Sequence, residues 1–350
     1  ALQDCAKGND SSFICGIVKD ENLTVEEKTR IINSVAQIAS VGGTTASAYA
    51  DMGLVSDVLE DRLSFTGPTH KDGQLLQIPA TDALWVEVIG GKTKSDTYGV
   101  MIGADALMPK PAVKVGGAFS YLSGSLTSTG SGLSTTNDYD TYGAHLYAAW
   151  TPTTKFNLVG HVDWMLQDSD ISMSIGTDSF GKASAKPNVN VVQAGIRAEV
   201  RETVGVFDIV PHVGLRAVYT KTDDFKTKID GKNAFRNALE DTFTVQMPIG
   251  LTVSGYVPAQ GGWTVAPKAD ITFVPQLGDT DQTSTVRGTA MSSSDSVTGA
   301  FAGEYYGQVK LGLTMINPKA DTSFGGTVGY ARGDAGKKDL TFGVQFTKNF

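Results

Sequence analysis

Side chains able to do covalent chemistry are few in this 350-residue chain. There are four histidines, His70, His145, His161 and His212, and two cysteines, Cys5 and Cys15. His161 shares one face of an alternating run with Asp163, and His212 shares a face with Asp208. A hydrolase would add an activated nucleophile to such pairs, but no G-x-S-x-G turn accompanies them. They read as hydrogen-bonding groups of a wall, and no catalytic residue is expected. Cys5 and Cys15 lie close together across a segment rich in Gly, Asn, Asp and Ser. That pattern fits a small disulfide loop closed in an oxidising compartment. A metal would need further ligands and no other Cys or any His lies near, so neither metal nor cofactor is expected.

Charge and hydropathy narrow the classes. The net charge is −8, only 19% of residues are charged, and no basic run occurs, which argues against a nucleic-acid partner. No stretch approaches the ~20 apolar residues of a membrane helix. That test does not see β-barrels, whose apolar residues occupy alternate positions. The opening "ALQDCAKGNDSSFICGIVKD" lacks the pattern of a secretory leader. The expectation is a processed form or a cytosolic protein, and the cysteines favour the former.

The elements that would position these groups fall into two regimes. In "NLTVEEKTRIINSVAQIAS", Thr24 and Glu27 form a capping-box pattern, and Ile31, Ile32, Val35 and Ile38 recur at helical spacing. After Gly42 and Gly43 a second helical segment begins with small residues and continues with the stripe Leu54, Val55, Val58, Leu59 and Leu63. Such a helix is thin enough for a narrow polar tube. From Thr81 onward the period is two. In "VVQAGIRAEVRE", Ala194, Ile196, Ala198 and Val200 oppose Gln193, Arg197, Glu199 and Arg201. Many runs persist for ten or more residues, near the ~9–11 that cross a bilayer at a tilt. About twelve strands start near Leu84, Thr97, Val113, Tyr142, Phe156, Val191, Phe207, Phe243, Trp263, Tyr305, Phe324 and Leu340.

The pattern therefore predicts an all-β transmembrane barrel of about twelve antiparallel strands, preceded by an α-helix thin enough for its lumen. Expected units are a Cys-containing segment over 1–23, a helical linker over 24–80 and the barrel over 81–350. The inward wall would carry Glu87, Asp105, Lys114, Asp163, Arg197, Glu199, Arg201, Asp208, Arg216, Lys268, Asp270 and Lys310. These could hold water and polar helix contacts, or pair with one another to stiffen the wall. Short turns such as "WTPTTKF" alternate with long polar loops such as "SLTSTGSGLSTTNDYD", the sorting that outer-membrane barrels show. The chain ends "DLTFGVQFTKNF"; Phe342, Val344, Phe346 and Phe350 would face lipid, with Phe350 in an aromatic girdle.

From about Val55 to Phe350 the sequence resembles the translocator β-domain of type V (autotransporter) secretion. The carrying residues are "VSDVLEDRLSF", "ALWVEVIGGKT" with Trp85, "YGVMIGADAL", "VKVGGAFSYLSGSL", "YGAHLYAAW", "VQAGIRAEV", "PHVGLRAVY" and the terminal "FGVQFTKNF". Lys348 departs from the terminal signature, where a more apolar residue is usual; its stem can snorkel. The resemblance implies a twelve-stranded outer-membrane barrel in a Gram-negative bacterium, with an N-terminal α-helix threading or plugging its lumen. Such a barrel would anchor and help to export an N-terminal passenger. It implies insertion by the outer-membrane barrel assembly machinery through the strand Phe342, Val344, Phe346 and Phe350, with long loops and the N-terminal segment outside the cell. Some relatives cut themselves inside the pore through a helix Asn, and Asn33 is the matching residue; a solvent-exposed helix position is the preferred reading. The alternative function is a stand-alone porin-like or surface-interaction barrel plugged by its own helix.

Overall fold

The computed structural model describes residues 18–29, 42–67, 70–71, 74–75, 83–92, 95–108, 112–130, 133–174, 182–289, 294–317 and 319–350. Cys5, Cys15, Asn33 and the run Ile31–Ile38 lie outside these residues. The capping box does form: the Thr24 N–H donates to Glu27 Oε2 at 2.8 Å, and the Glu27 N–H donates to Thr24 Oγ1 at 3.2 Å.

Helix α1 spans Gly42–Leu63. It stops where Ser64, Thr66 and Gly67 follow, and a Cβ on Gly67 would lie 2.4 Å from the carbonyl oxygens of Asp61 and Arg62. Only glycine folds back this tightly over a helix end. Residues 64–67 are thus not helical; His70–Lys71 and Gln74–Leu75 pair as a two-residue ribbon.

Twelve strands follow among the described residues: β1 (Ala83–Lys92), β2 (Asp96–Met108), β3 (Val113–Gly130), β4 (Leu133–Thr153), β5 (Phe156–Ser174) and β6 (Lys182–Ala185 with Asn188–Val200). They continue as β7 (Phe207–Thr222 with Phe225–Ile229), β8 (Lys232–Leu239, Thr242–Gln246 and Ile249–Gly255) and β9 (Thr264–Gly278 with Asp281–Gly288). The last are β10 (Ser294–Ala300 with Tyr305–Asn317), β11 (Thr322–Gly333) and β12 (Lys338–Asn349). Every neighbouring pair is antiparallel, and β12 returns to β1 with Phe342 opposite Gly90 and Asn349 opposite Ala83. Each expected strand start falls in, or one residue before, a different strand. Closure leaves no sheet edge to recruit another chain.

The pleat explains the sorting of side chains. On β6, Gln193, Arg197 and Glu199 are buried while Val192, Ile196 and Val200 are exposed. Around the barrel, Leu84, Ile102, Leu146, Val162, Leu215, Ile271 and Leu311 are likewise exposed, and Phe119 is 74% exposed. Water would not tolerate so continuous an apolar belt; lipid requires it. From Leu340 to Phe350 the chain runs ~33 Å, or ~25 Å of height at a ~40° tilt, which matches the hydrocarbon band of such barrels.

The long polar loops expected from the sequence are mostly strand among the described residues. Ser125–Gly130 pairs with Leu133–Asp138, and Phe225–Ile229 pairs with the strand beginning at Lys232. Ile171–Ser174 pairs with Lys182–Ala185, and Asp281–Arg287 with Ser294–Ala300. Their outward face is polar, as at Lys226 and Lys228, so hydropathy reads them as loop. Yet Ile171, Ala185, Phe225 and Leu239 pack together on the inward face, and the Thr, Val and Ile content favours extended backbone. The β7–β8 hairpin turns at Asp230 and Gly231, with φ of 47° and 77°, a two-residue turn with both residues left-handed, matched to strand twist. All these extensions stand at one end of the barrel; the other end has turns such as Thr153 to Phe156.

Candidate functional site

Helix α1 lies inside the barrel with its first turn at the end of the extended hairpins and its last at the short-turn end. It packs closest against β3 to β7. Met52, Val55, Leu59 and Leu63 are fully buried there, together with Leu122, Val159, Met165 and Val191 from the wall. In the expected stripe, Val55, Val58, Leu59 and Leu63 are buried, and Leu54 is partly buried.

Polar bonds fasten the helix along its length. In the first turns Thr45 Oγ1 donates to Gln282 Oε1 at 2.7 Å, and Gln167 Nε2 donates to the Thr44 carbonyl at 3.2 Å. Tyr49 accepts from Gln246 and donates to Gln276, both at 2.6 Å. Thr141 donates to Asp51 at 3.0 Å, and Gln193 donates to Ser56.

The second half of the helix is acidic and meets the basic part of the wall. Arg216 donates from Nε and Nη2 to the two oxygens of Glu60, each at 2.7 Å, and also from Nη2 to Asp57 at 2.8 Å. Arg197 stands 3.6 Å from Glu60, and Lys310 stands 3.0 Å from Asp61, with Lys268 at 3.8 Å. Below them the polarity reverses. Arg62 pairs with Asp105, donates to Thr347 at 3.0 Å and lies 4.7 Å over the Trp85 ring. Tyr147 and Lys114 add to Asp105 at 2.5 and 3.4 Å. The helix end is closed by Asn157, which donates to the Leu63 carbonyl at 2.9 Å, and by Glu199, which accepts from the Phe65 N–H at 2.9 Å. Buried charges cost several kcal/mol each unless paired, and here Asp57, Glu60, Asp61 and Arg62 of the helix each find an oppositely charged partner on the wall.

The wall residues singled out from the sequence divide accordingly. Glu87, Asp105, Lys114, Asp163, Arg197, Glu199, Asp208, Arg216, Asp270 and Lys310 are buried, and Arg201 and Lys268 have side chains 12% and 8% exposed. Asp105, Arg197, Glu199, Arg216, Lys268 and Lys310 engage the helix. Glu87 accepts from Gln345 at 3.0 Å, Arg201 pairs with Asp208 at 3.1 Å, and Asp270 accepts from Thr252 and Thr272. These stay within the wall.

His212 bonds Asp270 at 2.8 Å and not Asp208. Residues four apart on a strand are ~13 Å apart, so shared facing does not bring them together. Asp163 lies between two imidazoles, 3.0 Å from His145 Nδ1 and 2.5 Å from His161 Nδ1, and His161 Nε2 reaches Glu60 at 3.3 Å. Ser120 Oγ stands 2.9 Å from His145 Nε2, giving a triad's order of side chains. Ser120 and His145 sit in paired strands, where the ladder engages backbone N–H groups that an oxyanion hole would require. The array ties the wall to Glu60.

Sequence reasoning missed Asp51, Asp57, Glu60, Asp61 and Arg62 as helix contacts. The signal was present as "SDVLEDR", with three acids and a base between apolar residues, but a charged helix face ordinarily means solvent.

A closed barrel that is apolar outside and charged inside, with a helix bonded down its lumen, defines a plugged outer-membrane β-barrel. The family model described as autotransporter beta-domain matches residues 84–329, and the chain belongs to that family. Three solved structures share the fold. The translocator domain of NalP from Neisseria meningitidis aligns with a TM-score of 0.62 at 16% identity, covering 87% of this chain and 99% of that one. The β-domain of the Bordetella autotransporter BrkA gives 0.60 at 14% identity, covering 77% of this chain and 100% of that one. The transport unit of AIDA-I from Escherichia coli gives 0.53 at 14% identity, covering 79% and 92%. Comparison with curated protein sequences gives no match. The chain is an autotransporter translocator barrel of the Gram-negative outer membrane.

Proposed function

We propose that this barrel anchors an N-terminal passenger and helps move it to the cell surface, and that α1 is the stretch of chain left seated in the pore afterwards. The observation that carries this is the direction and completeness of the helix seat: chain entering at Gly42 arrives from the extended-hairpin end, and the helix leads into β1 at the other. The extended hairpins would then stand outside the cell, with residues 1–23 beyond them, 24–80 as linker and 81–350 as barrel. Phe342, Val344, Phe346 and Phe350, all exposed on the outer face, would be the strand offered to the barrel assembly machinery. Lys348 fits that face because its ammonium reaches back to the Ala320 carbonyl at 2.8 Å. Glu87, Asp105, Lys114, Asp163, Arg197, Glu199, Arg201, Asp208, Arg216, Lys268, Asp270 and Lys310 would form the hydrated lining.

The test is a fusion of an unstructured epitope ahead of Ala1, expressed behind a secretion leader in a Gram-negative host. The proposal expects the epitope to be shaved from intact cells by added protease. An epitope protected until the outer membrane is breached would refute export and leave a stand-alone plugged barrel.

A further inference from the structure

The helix does not fill the lumen evenly. Opposite the β3–β7 side where it packs, two voids lie end to end along the helix. One, of about 80 Å³, runs from Gly303 and Asp334 near the extended-hairpin end down to Asp57, along Ala46, Ala50 and Gly53 of the helix. The other, of about 50 Å³, runs on past Lys268 and Lys310 to Gln345 beside Arg62. Leu54, Asp57 and Thr341 border both, so the voids meet at that neck. Gly53 faces this space: no heavy atom among the described residues lies within 4 Å of where its Cβ would stand. The wall opposite is bare as well, with Gly325, Gly326 and Gly343 lining the lower void. Asp57, Asp61, Glu87, Lys268 and Lys310 contribute charge to the lining, and a void bordered by such groups holds water.

We infer that small hydrated ions pass the seated helix along this side path, between α1 and the β9–β12 wall, with the Leu54–Asp57–Thr341 neck and Arg62 as its narrow points. Such a path presupposes the seated plug proposed above. The physical reason is geometric. The packed side is closed by Met52, Val55 and Leu59 against apolar wall residues. The open side presents Ala46, Ala50 and Gly53 along the upper void and Asp57 and Asp61 along the lower, where Gly325, Gly326 and Gly343 stand opposite. Ions need polar groups at intervals along a path rather than a wide bore; Asp334, Gln276, Gln308 and Asp57 supply them along the upper void, and Lys310, Asp61 and Glu87 along the lower.

The test is single-channel recording of the full chain carrying Gly53→Cys in a planar bilayer, before and after adding a bulky cationic methanethiosulfonate reagent. Wild-type protein treated identically controls for Cys5 and Cys15, and a Leu59→Cys variant probes the packed side. The expected result is a small basal current that falls at least twofold once the thiol of the Gly53→Cys variant is modified. Wild type and the Leu59→Cys variant should show no change. Complete modification of the Gly53→Cys thiol, verified by mass, with current unchanged would overturn the route, as would failure of that thiol to react. Failure of the plug reading looks different: untreated wild type would then pass the same current as a chain lacking the helix.

Discussion

Glu60→Gln isolates the ion pairs that seat the helix. The carboxylate receives two charge-assisted hydrogen bonds from Arg216 at 2.7 Å, in surroundings where both side chains are no more than 4% exposed. Bonds to charged groups contribute ~1.5–3 kcal/mol each. Glutamine keeps the shape and one acceptor oxygen, so one bond survives in weaker form. Arg216 also retains Asp57 at 2.8 Å, which limits the damage below the ~3–5 kcal/mol expected when a buried charge loses its only partner. The net loss should be ~2–3 kcal/mol, equivalent to about a 30- to 150-fold change in a local opening equilibrium. Amide hydrogen exchange of the full chain in detergent reads that equilibrium directly. Amides within Ser47–Leu63 should exchange faster by that factor, while those of β3 to β6 keep their protection. Helix amides that accelerate less than threefold, or strands that loosen equally, would refute an ion-paired seat. A double-mutant cycle with Arg216→Met adds a second check, because a coupling near zero would mean that apolar packing alone holds the helix.

Two further outcomes follow from the same geometry. Asp105→Asn removes the charge that faces Arg62 and Lys114, so trypsin cleavage after Arg62 in the detergent-solubilised protein should accelerate at least tenfold; an unchanged rate would mean that the Arg62–Asp105 pair does not hold the helix end. On the outer face, Val344→Lys places a charge near mid-bilayer and should cost ~2–4 kcal/mol of folding stability in lipid vesicles, whereas Phe350→Lys at the interface should cost ~0–1; equal penalties in denaturant titrations would contradict the belt.

The barrel was legible in the sequence because lipid inverts the usual code without blurring it. Period-two alternation survives in runs such as Val191–Val200, and the charges that a soluble sheet would show to water turn inward. Strand ends were less legible. Beyond the bilayer the outward face meets water instead of lipid, so Ser125, Thr127, Lys226 and Lys228 stand where a spanning strand carries apolar residues. The stretches lose that signal while keeping a strand's backbone preference. The site was half legible. The strand pleat told which wall residues face inward, but partners depend on which strands become neighbours and on the helix's rotation. His212 illustrates this: Asp270 lies 58 residues later in the sequence, and no local pattern could single it out over Asp208. The helix acids were hidden for a different reason. A face carrying Asp57, Glu60 and Asp61 looks solvated until a wall bearing Arg197, Arg216 and Lys310 surrounds it.

The most direct measurement compares ion currents through the full chain and through a variant lacking residues 25–63, each reconstituted in a planar bilayer. A helix seated in the lumen predicts small currents for the full chain and a severalfold larger conductance once it is removed. Equal conductances would contradict the plug, whatever the strands around it do.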